Sequence, residues 1–233
     1  MNRAHLLGDR TGLTRLPVLT AGVFALTAVV NLIQFGVPGT LDTLQRRPVG
    51  LHGQWWRLVT SLLVQDGGIA GTLSNLAFLV AVGVVAEQVV SRPRWLATYL
   101  VGGLVGQLFG SLWQPVGGGN SVAICGLAGA VAIACWQRDP RLPKWGTPVL
   151  LLWFGALLAT WLYPLVAVGV VAARLAPLAG RRGAPVGALT FGAAVAVAVV
   201  LCALQNIHGA ALVGGLVLTL LPTLRPRLAS ASC

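Results

Sequence analysis

Ser121 and His208 stand in separate apolar stretches of this sequence, and together they are the minimum set for nucleophilic catalysis. A serine hydroxyl attacks a carbonyl poorly until a base takes its proton, and imidazole is the usual base because it titrates near neutrality. His208 is the one histidine within the apolar runs; His52 lies in a polar segment and reads as exposed. The oxyanion that forms on attack needs hydrogen-bond donors, and the Ser121 backbone amide at a helix start and the Asn75 side chain are candidates. No aspartate is available at the same depth, so the base would be oriented by packing, as a dyad rather than a triad. Each residue also has a plain structural reading. Ser121 follows Gly117-Gly-Gly-Asn120 and could cap a helix. His208 could make an interhelical hydrogen bond or line a pore, and Asn75 could hold helices together. The four cysteines, Cys125, Cys135, Cys202 and Cys233, lack metal-ligand or disulfide spacing and read as packing residues, so neither metal nor cofactor is expected.

These side chains must be positioned by membrane helices. Of the 233 residues 56% are hydrophobic and 9% charged, and the mean hydropathy is +0.83. Apolar runs long enough for a hydrocarbon core of roughly 30 Å recur along the chain. They lack period-2 alternation, which points to helices rather than barrel strands. Expected spans cover about Leu16–Phe35, Ile69–Val90, Trp95–Trp113, Ser121–Trp136, Pro185–Leu204 and Ile207–Leu221. The run Thr147–Leu175 reads as a thin hairpin turning at Tyr163 and Pro164, giving eight spans, with seven as the alternative. The net charge of +11 sits in the gaps: Arg3, Arg10 and Arg15; Arg92 and Arg94; Arg138, Arg141 and Lys144; Arg174, Arg181 and Arg182; Arg225 and Arg227. These are topology signals that put every such turn in the cytoplasm, and not a nucleic-acid surface. The resulting organisation is a cytoplasmic segment 1–15, an all-α membrane domain 16–222 and a cytoplasmic tail 223–233. Within the domain, 36–68 forms an extracytoplasmic loop and 147–180 an additional hairpin.

Other intramembrane polar groups are Glu87, Gln107, Gln205 and Asn206, each a functional candidate by default. Glu87, close to Arg92 and Arg94, reads as an interfacial ion pair or hydrogen bond. Asn75, Ser121 and His208 each precede an arginine (Arg92, Arg138 and Arg225) by 17 residues. At about 1.5 Å per helical residue each lies roughly 25 Å from that flank, so amide, hydroxyl and imidazole share one depth on helices of one direction. Small residues recur every three to four positions after Ser121 and after His208, including Gly126, Gly129, Ala211 and Gly215, and such faces let helix backbones touch in lipid.

The ordered set Trp56-Arg57, Asn75 with Glu87, Gly119-Asn-Ser121 with Gly126 and Gly129, and His208 with Ala211 and Gly215 resembles the rhomboid intramembrane serine proteases over about two thirds of the chain. The resemblance implies Ser121 as nucleophile, His208 as base, Asn75 as oxyanion donor and Arg57 as a support of the first loop. Two positions depart from the family pattern: Val122 stands where glycine usually follows the serine, and Gly71 where a histidine often precedes the asparagine by four residues. The expected function is proteolysis of transmembrane or juxtamembrane segments in a lipid bilayer, at a bacterial inner membrane. A catalytically inactive rhomboid-like protein that binds membrane helices is the alternative. A small transporter lacks the inverted repeats that would support it.

Overall fold

A computed structural model describes residues 12–159 and 163–221. Arg3, Arg10, Arg225, Arg227 and Cys233, and with them most of the two expected terminal segments, lie outside the described residues. Eight helices of 14 to 22 residues carry the fold: α1 Val18–Gly36, α2 Gly68–Val89, α3 Arg92–Trp113, α4 Ser121–Trp136, α5 Gly146–Ala159, α6 Leu165–Arg181, α7 Val186–Ala203 and α8 Ile207–Leu220. By length and composition α1, α2, α3 and α7 can each cross a membrane, while α4, α5 and α8 are apolar but shorter. The 17-residue α6 carries Arg174 and Arg181. Among the described residues no strand forms beyond one isolated bridge.

The architecture follows from where side chains are missing. The central helix is α4, apolar all round and buried at every residue from Val122 to Cys135, as expected of a helix with neighbours on all sides. It meets α3 and α8 backbone to backbone. A methyl group on Gly102 of α3 would lie 2.5 Å from the Gly126 Cα. One on Gly126 would lie 2.5 Å from the Thr98 carbonyl oxygen, and one on Gly129 2.6 Å from the Leu216 amide nitrogen. Gly215 sits directly on Gly126. In lipid no hydrophobic effect drives helices together, so contact at this range supplies dispersion that bulkier residues would forfeit. The same device joins the pair α5 and α6, where a methyl on Gly155 would lie 2.6 Å from the Gly169 Cα.

The outermost helix of the other flank, α1, is held at both ends by polar groups of its neighbours. Pro17 gives its first turn no side-chain cap, so the orphan amides find another acceptor. Glu87, buried at the end of α2, accepts from the Leu19 and Thr20 amides at 3.1 and 3.0 Å and from the Thr20 hydroxyl at 3.0 Å. Arg92 approaches the same carboxylate at 3.7 Å. Its neighbour Gln88 accepts from the Thr14 and Arg15 amides, both at 2.9 Å. At the opposite end Asn31 donates to the Leu63 carbonyl at 2.9 Å. Glu87 thus serves as the distant cap of α1, with a negative charge at the positive end of that helix.

The segment between α1 and α2 folds on itself through a short helix Thr40–Leu44, a 3₁₀ turn Pro48–Leu51 and a helical turn Arg57–Thr60. Arg57 stitches it, its guanidinium donating to the Asp42 and Gln45 carbonyls at 2.8 and 3.0 Å. Trp55 and Trp56 remain exposed, and His52 is exposed as well. Because the Glu87 carboxylate accepts three hydrogen bonds at the start of α1, Glu87→Ala should destabilise the protein by about 2 kcal/mol, the range for hydrogen bonds to a charged group. Reversible denaturation in micelles, followed by helical circular dichroism, measures that loss.

Candidate active site

Ser121 opens α4, so its own amide is among the first-turn N–H groups that lack an intrahelical acceptor. His208 is the second residue of α8. The close approach of α4 to α8 brings these two helix starts together, and Ser121 Oγ lies 2.9 Å from His208 Nε2. Both side chains are half-buried. The other ring nitrogen, Nδ1, lies 2.7 Å from Asn206 Oδ1, and the same oxygen accepts the His208 backbone N–H at 2.9 Å as the cap of α8. An amide oxygen can only accept, so Nδ1 carries the ring proton. Nε2 is left with its lone pair facing the serine hydroxyl, the tautomer a general base requires. Asn206 thereby supplies an orienting side chain, whereas the sequence pointed to packing alone.

Asn75, on α2, is half-buried and faces the same cavity. This cavity, about 260 Å³, lies between α2 and α5 and is lined by Gly71, Asn75, Ser121, His208, Trp153 and Leu157, among others. Gly119 sits at the centre of the polar groups. A methyl there would come within 3.2 Å of Ser121 Oγ, 3.3 Å of Gln65 Oε1 and 3.7 Å of Asn75 Nδ2. The two departures have distinct consequences. Val122 is buried against Gly106 of α3, so its bulk is absorbed behind the serine. Gly71 offers no donor and faces open space, with nothing within 4 Å of a methyl placed on it.

A second, smaller cavity of about 100 Å³ touches Ser121 and His208 from the side of α3 and is walled by Arg46 and Gln107. Arg46 is 1% exposed. It bonds the Gln107 side chain, donates to the Gln114 carbonyl from Nε at 3.0 Å, and pairs through its backbone with Gly117 at 2.8 and 3.2 Å. Burial pulls its guanidinium well below the usual arginine range, to about 10, with Asp66 opposing the change. Arg46 therefore pins the first loop to the glycine turn that presents Ser121. Of the remaining motif residues, Gly126, Gly129 and Gly215 form the backbone contacts described above, and Ala211 is fully buried against Gly102 and Gly106.

The family model for the Rhomboid domain matches residues 52–196, more than half of the chain. The chain belongs to the rhomboid family. It is accordingly a multi-pass membrane protein, and the helical bundle is its rhomboid fold. The matched span contains Trp56, Arg57, Asn75 and Ser121 and stops short of His208, whose place rests on the geometry. Among curated proteins the chain is similar to the rhomboid protease GluP of Bacillus subtilis (strain 168), 32% identical over 103 residues, which are 43% of this chain and 20% of that protein. It is also similar to the rhomboid protease AarA of Providencia stuartii, 29% identical over 120 residues, 44% of this chain and 40% of that protein. The aligned regions thus span less than half the length of either relative.

Four residues of this rhomboid site carried no assigned role in the sequence: Arg46, Gln65, Asn120 and Asn206. One of them had a readable signal. An asparagine two residues before a histidine at the start of an apolar run is a candidate helix cap, and its side chain can reach the amide of that histidine. Asn206→Ala should let the His208 ring populate both neutral tautomers, where the parent should hold Nδ1–H alone, and should cost about 1 kcal/mol through loss of the cap. Nitrogen-15 NMR of histidine-labelled protein in micelles distinguishes the two.

Proposed function

We propose that this chain is an intramembrane serine protease that cleaves a transmembrane or juxtamembrane segment of another membrane protein. The observation that carries the reading is the 2.9 Å contact between Ser121 Oγ and His208 Nε2, with the ring held from behind by Asn206. In this mechanism His208 Nε2 accepts the Ser121 proton as Oγ attacks the scissile carbonyl. The oxyanion of the tetrahedral intermediate takes hydrogen bonds from the Ser121 amide and the Asn75 side chain. Imidazolium His208 then protonates the departing amine. Water attacks the acyl-Ser121 ester by the same route in reverse, restoring the hydroxyl.

Access to the pair is by way of the seam between α2 and α5. The cavity opens there, and Phe78 meets Trp153 across it with ring centroids 4.7 Å apart. Its α5 wall is Trp153, Ala156 and Leu157, and among the described residues no Asp, Glu, Lys or Arg lines it. An extended stretch of small or apolar residues therefore suits it, as a locally unwound membrane helix would provide. The basic turns at Arg92 and Arg94, at Arg138 to Lys144 and at Arg174 to Arg182 support an orientation with those turns in the cytoplasm and Ser121 near the outer face. Relatives in two bacteria support a bacterial inner membrane.

The competing reading, an inactive helix-binding protein, draws on the missing donor at Gly71. In proteoliposomes carrying a test transmembrane substrate, the parent should cleave it, while Ser121→Ala and His208→Ala should each reduce the rate by at least about 10³-fold, as loss of a nucleophile or its base does in other serine proteases. Cleavage by Ser121→Ala at the parental rate would refute the assignment. Retention of the substrate without cleavage by the parent would favour the inactive reading.

A further inference from the structure

Asn75 does not stand alone in its cavity; its amide is the first member of a hydrogen-bonded series. Asn75 Nδ2 donates to Gln65 Oε1 at 2.6 Å, and Gln65 Nε2 donates to Asn120 Oδ1 at 2.9 Å. Gln65 is 1% exposed and Asn120 fully buried. The Gln65 backbone is fixed as well. Gln34 of α1 donates to its carbonyl at 2.7 Å and accepts from its amide at 2.9 Å, in a reciprocal pair. Three elements far apart in sequence thus converge on one residue: α1 through Gln34, α2 through Asn75 and the turn into α4 through Asn120.

The series has a direction. Each primary amide presents two N–H donors on one side and one carbonyl on the other, and Gln65 offers its oxygen to Asn75 and its nitrogen to Asn120. That choice commits one Asn75 N–H to Gln65 and fixes the plane of the Asn75 amide, leaving its second N–H as the free donor of the group. Donation through a chain of amides in a low-dielectric site also strengthens each member. We infer that Gln65 is a positioning residue, held by Gln34 and Asn120, that fixes the Asn75 amide so its free N–H points at the oxyanion forming beside Ser121. This rests on the reading of Ser121 and His208 as a protease. It explains how one side-chain donor serves where Gly71 supplies none: a rigidly held donor is aligned before charge develops, and a preorganised donor needs no reorientation in the transition state.

The experiment uses the full-length protein in proteoliposomes, once cleavage by the parent and its loss in Ser121→Ala are established, so that failure of the protease reading is recognised first. Gln65→Met keeps the length of the side chain and removes the acceptor. It should lower kcat by about 10- to 100-fold, less than the roughly 10²–10³-fold for deleting a donor outright, with KM within about twofold of the parent. Gln65→Glu, which can still accept from Asn75, should restore most of the lost kcat. In an Asn75→Ala background Gln65→Met should change kcat by less than about twofold, because a residue acting through Asn75 has nothing left to position. Parental kcat in Gln65→Met, or the same fold loss in the Asn75→Ala background, overturns the inference. If Gln65→Met does not fold, Asn120→Ala tests the series from its other end. A several-fold fall in kcat confined to the Asn75-containing protein supports the inference, and equal losses in both backgrounds overturn it.

Discussion

Three helix backbones in contact at glycine set everything else in this molecule. Gly102, Gly126, Gly129 and Gly215 let α3, α4 and α8 approach until main-chain atoms touch, and a single methyl on any of them would force a helix outward. The starts of α4 and α8 inherit that proximity. A hydroxyl and an imidazole 87 positions apart in sequence end 2.9 Å from each other, a separation that would not survive an outward shift of either helix by the width of a methyl group. Close packing in lipid is therefore the precondition of the proposed chemistry, to which alignment of the reacting groups makes a large contribution.

Around that contact the polar groups are arranged so that nearly every orientation has one solution. Asn206 caps α8 and fixes the histidine tautomer with one oxygen. Arg46 fastens the first loop to the turn before Ser121. Gln34, Gln65, Asn75 and Asn120 form a directional amide series. In water such bonds would contribute little, since solvent competes for each partner. In a dry bundle, leaving a bond unmade costs more than making it gains, so each bond that is made narrows the geometry. Some donors in the same region stay unpaired among the described residues, namely Gln107 Nε2 and Asn120 Nδ2.

The helical membrane fold was legible because its determinants are local. Apolar runs bounded by arginines mark the spans to within a few residues, as at Ser121–Trp136, and the turn at Tyr163 and Pro164 separates α5 from α6. Ser121, His208 and Asn75 stood out because polar groups in apolar runs are rare, and a common distance from their arginine flanks suggested that they could meet. Gln65 and Asn120 left no such trace: both lie in connecting segments where amide side chains are commonplace, and their role depends on a convergence of three elements that no spacing encodes. Glu87 was visible as a polar residue near a helix end, but its function as a cap for α1, nearly seventy positions earlier, belongs to the tertiary structure. Val122 shows the converse. As a sequence departure it weakened the site, and in the fold it fills the space that Gly106 leaves.

The step on which the proposed chemistry turns is activation of the Ser121 hydroxyl by His208. Treatment of the membrane-embedded protein with a serine-directed fluorophosphonate, followed by peptide mass spectrometry, tests it without any knowledge of the substrate. A stoichiometric adduct should form on Ser121 in the parent, with a labelling rate at least about 10²-fold lower in His208→Ala, the lower end of what a general base contributes. An unlabelled Ser121 in folded protein, or equal labelling with and without His208, would contradict it.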